Sequence, residues 1–156
     1  MTDDLRSLRL LLAQAERQRD EALAEQFKLE AAWRAAATQA EQLVLYRREY
    51  EQRWSAEFCR EGKIELVRCY QGFMERLSQA VEQQERIAGH AAAQAERAAA
   101  IMRGHDVRAA GLTKLVERRL KEGERIAAGQ EQRLSDKQAS RAAWIKIAQA
   151  NARSAI

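Results

Sequence analysis

Few side chains in this sequence could do chemistry, and their spacing argues against it. His90 and His105 have no second His, Cys or clustered acid three or four residues away, the spacing a helix needs to present metal ligands. Both read as helix-surface or seam residues, and no metal site is expected. Cys59 and Cys69 flank a candidate turn but lack the CxxC spacing that lowers a thiol pKa, so they read as an incidental reduced pair. Glu61-Gly62-Lys63 echoes the end of a phosphate loop. It lacks the upstream glycine, a Ser/Thr after the lysine and a preceding strand. No Ser/His/Asp set has support, and no cleft is expected to hold one. The expectation is a protein with no catalytic residue and no cofactor.

Charge allows a different chemistry. The 27 basic and 23 acidic residues leave a net charge of +4. Residues 1–58 carry an excess of acid, while 59–120 and 121–156 are each basic. From Arg133 onward there are five bases against one acid. Nucleic-acid binding calls for clustered Lys and Arg, with aromatics where single strands stack. Here the bases are spaced and mixed with acids, and Trp144 is the one aromatic of the tail. That pattern reads as a solvated helix face, and no nucleic-acid partner is expected. A helix lying on a membrane needs a sharper apolar stripe. No run approaches eighteen apolar residues, so no spanning segment is expected. The start Met1-Thr2-Asp3-Asp4 is acidic where a secretory signal is basic, which points to a cytoplasmic protein.

Composition sets the elements. Of 156 residues none is proline, 31 are alanine, and Ala, Glu, Lys, Leu and Arg together number 91. More than half of a chain in those five types, with helical periodicity, marks long helix or coiled coil. Leu, Ile, Val and Phe number only 30, too few for a compact globular core, and no run alternates as a strand does. The expected class is all-α: an antiparallel two-helix coiled-coil hairpin with a C-terminal helical overhang. Residues 1–58 form the first helix, 59–69 the turn region, and 70–156 the second helix, overhanging from about 120. Strong helix formers fill the first segment. Glu30–Arg34, Glu49–Arg53, Glu82–Arg86 and Glu117–Lys121 have the spacing of helical ion pairs. Gly62 is placed to end a helix in the left-handed conformation. Ser135 to Gln138 resembles a capping box, but a continuous, frayed helix is the preferred reading there.

Spacing also suggests how the helices pair. Gln39, Leu43, Tyr46 and Tyr50 fall on one stripe, and Phe73, Leu77, Ala80 and Gln84 repeat the pattern. Folding back at Glu61–Gly62 sets Tyr50 against Phe73, Tyr46 against Leu77, Leu43 against Ala80 and Gln39 against Gln84. The same register opposes Ala22 to Ile101, Leu11 to Leu112, Leu8 to Leu115 and Asp4 to Arg119, mostly large against small. Two layers fit badly, Leu29 against Gln94 and Ala15 against Arg108. Residues beyond Arg119 have no partner within the chain, and as a helix they would reach roughly 55 Å. They retain Ile126, Leu134, Trp144, Ile145 and Ile147, which in a lone helix need cover.

Two segments resemble a known family. Leu43-Val44-Leu45-Tyr46-Arg47-Arg48-Glu49-Tyr50 and Tyr70-Gln71-Gly72-Phe73-Met74-Glu75-Arg76-Leu77 are similar to the flagellar type III export stalk family (FliJ). Ala80 and Gln83-Gln84 extend the likeness, and Glu131 to Lys137 continues it loosely. The resemblance implies an antiparallel helical hairpin whose open end inserts into a hexameric export ATPase and promotes its activity. It further implies contacts with a membrane export gate protein and with export chaperones. The protein would then sit peripherally, through its partners, at the inner membrane of the flagellar base. Carried over by position, the gate and chaperone patch falls on Gln39, Leu43, Tyr46, Tyr50, Phe73, Leu77, Ala80 and Gln84. Some relatives have histidine at the last position. The ring-contacting end falls on Leu5, Leu8, Leu12, Arg119, Arg125, Arg133 and Lys137.

From spacing alone, the eight patch residues are also seam residues near the turn. A wide apolar band, broadened by Leu45, Trp54 and Phe58, would leave some of them outside for partners. Both readings stand at this point. So do three other roles: the stalk of a virulence-type secretion system, a basic coiled-coil scaffold, and a nucleic-acid-binding helical arm.

Overall fold

The computed structural model describes residues 2–58, 60 and 62–155. Among them the fold is all-α, with helix α1 over Thr2–Phe58 and helix α2 over Ile64–Ser154, and no strand. Asp3 and Asp4 lie in the first turn of α1, where the exposed amides favour negative charge. At its other end the amide of Arg60 donates to the carbonyl of Glu57 at 2.9 Å, a tight turn that follows Phe58. No described glycine has a positive φ, so the left-handed cap expected at Gly62 is not used. Helix α2 begins at Ile64, earlier than residue 70, with Glu65 in its first turn and Leu66 and Val67 half-buried. No break occurs between Gly129 and Ser135, where Gln132 donates to Asp136 at 3.2 Å across one helical turn. Of the four expected charge pairs, Glu30–Arg34 forms at 3.9 Å.

The chain divides into two compact units, Gln14–Ala109, and Met1–Ala13 with Ala110–Ile156. The first unit is a hairpin. Its covered positions on α2 run Leu77, Val81, Gln84, Ala88, Ala91, Ala95, Ala98, Met102, His105 and Ala109. On α1 they include Ala15, Arg19, Ala22, Gln26, Leu29, Ala36, Ala40, Leu43, Arg47, Tyr50 and Trp54. Steps of three and four alternate along both series, the heptad seam of a coiled coil, save for one step of seven from Leu29 to Ala36 across the exposed Trp33. The buried α2 position lies one residue on at three of the expected layers, while Tyr50–Phe73 and Gln39–Gln84 meet in the expected register. Burial falls on Val81 rather than Ala80, on Ala95 rather than Gln94 and on Ala109 rather than Arg108. Gln94 and Arg108, the polar members of the two ill-fitting layers, stand exposed beside buried alanines.

Alanine dominates what is fully buried: Ala15, Ala36, Ala40, Ala95, Ala98 and Ala109, with Leu77 and Val81 the large exceptions in this unit. Methyl groups facing methyl groups let helices approach closely but bury little area each. One seam residue is poorly served. Gln26 donates through Nε2 to Glu30 at 2.9 Å, while its Oε1 is buried without a hydrogen-bond partner.

In the second unit Leu5, Leu8, Leu12, Leu112 and Val116 supply the covered positions, and Arg119 reaches Asp4 at 3.4 Å. Leu11 and Leu115, expected in the seam, stand on its flank and are exposed. Every described residue from Glu124 to Ala155 is exposed while remaining helical to Ser154.

Candidate functional site

Near the turn, six rings form a connected cluster. Tyr50 stacks on Phe73 with centroids 4.6 Å apart, and it touches Tyr46 at 5.3 Å and Trp54 at 6.4 Å. Trp54 contacts Phe58 and Tyr70, each at 5.5 Å, and Phe58 meets Tyr70 edge to face at 5.1 Å. Tilted and edge-on aromatic contacts at these distances each add to the area they bury. The cluster locks α1 to α2 where the seam would otherwise fray. Trp54 and Phe58, expected to widen an exposed band, are half-buried inside it; Leu45 does stand out, 55% exposed.

The eight patch residues divide between two environments. Leu43, Tyr50, Leu77 and Gln84 occupy the seam. Gln39, Tyr46, Phe73 and Ala80 line one flank of it, with Tyr46 45% exposed and Phe73 and Ala80 half-buried. The expected pairing of Tyr50 with Phe73 is a ring contact. The expected pairing of Gln39 with Gln84 is a hydrogen bond, in which Gln84 Nε2 donates to Gln39 Oε1 at 3.1 Å and also to the Ala36 carbonyl at 3.3 Å. Gln84 thus acts as a polar clasp across the helices. The position one turn further along has no aromatic anchor, so the patch tapers there from ring surface to amide surface.

At the chain's terminal unit, Leu5, Leu8 and Leu12 are half-buried, whereas Arg119, Arg125, Arg133 and Lys137 are exposed. Arg119 is held between Asp4 and Glu122, the latter at 3.7 Å. Beside this pair lies a hollow of about 410 Å³ lined by Asp4, Leu5, Arg119, Leu120, Gly123 and Ala127, among others. Beyond it Trp144 is 75% exposed, and Leu134, Ile145 and Ile147 are uncovered too. Large apolar groups facing water on a basic helix form a surface suited to partners rather than to substrate.

Among the described residues no group of three or more His, Cys, Asp or Glu could hold a metal ion. Cys59 lies outside the described residues, and Cys69 is a free, exposed thiol. Among the described residues no helix is long and apolar enough to cross a membrane. One feature had no signal in the sequence. A hollow of about 400 Å³ lies on the same flank as Tyr46 and Phe73, between Glu25 and Arg97. Neither residue stands out by type, and only their positions across the groove bring them together.

The family model described as flagellar FliJ protein matches residues 5–147, nearly the whole chain. No curated protein and no solved structure matches it.

Proposed function

The chain belongs to the flagellar FliJ family, and on that premise we propose that it is the non-catalytic stalk of the flagellar type III export ATPase. In this reading the terminal unit enters the centre of the ATPase hexamer and promotes its assembly and hydrolysis. The carrying observation is the uncovered helix from Glu124 to Ser154, with Leu134, Trp144, Ile145 and Ile147 exposed among Arg125, Arg133 and Lys137. A single helix with such a surface gains stability only when something surrounds it. A ring's central hole covers all sides at once, which a flat partner does not. Leu5, Leu8 and Leu12 would brace the base of that helix through the seam, and Arg119 would do so through Asp4.

The turn-proximal flank carries the second half of the role. Tyr46 with Phe73 and Ala80 forms an apolar strip backed by a rigid ring cluster, the kind of surface that anchors a protein partner. We assign it to the export gate protein and to export chaperones, with Gln39 and Gln84 at its polar end. Leu43, Tyr50 and Leu77 support the strip from the seam. The protein then works in the cytoplasm, held at the inner membrane by its partners. The flagellar family match supports this stalk over its virulence-type equivalent.

The test is stimulation of the purified export ATPase. Reversing Arg125, Arg133 and Lys137 to glutamate together should abolish stimulation and co-purification while leaving helicity unchanged, since all three are exposed. Undiminished stimulation by that variant would sink the placement.

A further inference from the structure

In the hairpin unit, the flank that carries Tyr46 and Phe73 continues away from the turn. Ile87 and Ile101 recur on it at multiples of seven residues from Phe73 and Ala80, and they are 48% and 58% exposed. Between them and α1 lies the hollow of about 400 Å³, floored by Ala22, Leu29, Ala98 and Ile101. Glu25 stands on the α1 wall and Arg97 on the α2 wall. Neither takes part in an ion pair among the described residues.

An apolar floor between an unpaired acid and an unpaired base is complementary to itself. A two-fold axis running along the helices lays α1 of one copy over α2 of the other, which brings Glu25 onto the other copy's Arg97 twice. An axis across the helices would instead bring α1 onto α1 and oppose like charges. A hollow on the other flank is lined instead by Ala40, Glu41, Val44, Leu45 and Glu85, with acid on both walls. Charge therefore selects both the face and the orientation.

We propose that this flank is the docking surface for a second copy of the chain, in a parallel two-fold dimer that seals Ile87 and Ile101 and closes two Glu25–Arg97 pairs. The same flank carries Tyr46 and Phe73. The dimer thus covers the strip assigned above to gate and chaperone contacts, a consequence that rests on that assignment. Self-association would hold the protein in a form that partners must open.

Sedimentation equilibrium of the purified full-length chain tests the dimer without any export component. We expect a concentration-dependent monomer–dimer equilibrium. Glu25→Arg or Arg97→Glu alone turns two attractions into two repulsions and should weaken it by about tenfold. The two together should restore it to within about threefold of the parent. Both residues lie on the surface, and circular dichroism of each variant checks that the helices persist. A chain that stays monomeric at every concentration overturns the proposal. So does a dimer indifferent to the single reversals, or one that Trp144→Ala removes, which would place the contact on the uncovered helix.

Discussion

Tyr46 and Tyr50 are one helical turn apart and touch each other, yet they do different work. Tyr50 sits in the seam between Phe73 and Trp54, so Tyr50→Ala removes three ring contacts and leaves a gap the neighbours cannot fill. A loss of about 2–4 kcal/mol in urea unfolding is expected. Tyr46→Ala trims an exposed ring and should cost under about 1 kcal/mol, while weakening capture of gate or chaperone in a pull-down. A stability loss for Tyr46 equal to that for Tyr50 would show it to be only a seam residue. Gln26 makes the opposite case. Its buried, unpartnered Oε1 costs stability, so Gln26→Leu should raise the unfolding free energy by about 1 kcal/mol. A decrease would mean that the amide has a partner within the seam.

At the scale of the elements, two long helices form because nothing in the sequence stops them, and the seam keeps them paired. Glycines within α2 are the weak points. A Cβ built on Gly104 meets nothing within 4 Å, and its backbone is helical. Gly104→Ala should therefore stabilise the fold by about 0.5–1 kcal/mol, read from the denaturant midpoint at constant slope. How much of this level was legible is clear from the residues. Heptad spacing and helix formers sufficed for α1, for α2 and for the antiparallel partnership, including the contacts Tyr50–Phe73, Gln39–Gln84 and Asp4–Arg119. On α2 the buried residue is Val81, one on from the Ala80 that spacing sets against Leu43. In a stretch this rich in alanine, adjacent registers bury nearly the same methyl groups, so pattern alone separates them poorly. Helix α2 starts at Ile64, with Leu66 and Val67 half-buried in its first turn.

For the molecule as a whole, what matters is how burial is shared out. The hairpin unit puts its large side chains near the turn and its alanines farther along, whereas the helix beyond Gly123 buries nothing. Amide exchange should follow that division. Protection should be strongest around Leu77 and Val81, and weak from Glu124 to Ser154, where each opening needs only local fraying. Addition of the export ATPase should slow exchange in the latter segment selectively. Protection confined instead to the turn-proximal flank would contradict the proposed insertion.

Composition and spacing by themselves determined that the chain is all-α, that its large side chains are too few for a globular core, and that part of its second helix has no intramolecular partner. Those conclusions follow from local properties: helix propensity, apolar period and the number of large side chains along the chain. Only the packed helices decided which residues of each stripe turn inward. Leu43 and Tyr50 went into the seam while Tyr46 and Gln39 stayed on its flank, because a two-stranded coil shields one line of layers and a shift of one residue rotates that line. The Glu25–Arg97 groove belongs to the same class of fact. Its two charges lie far apart in sequence and acquire a common purpose only when α2 lies against α1.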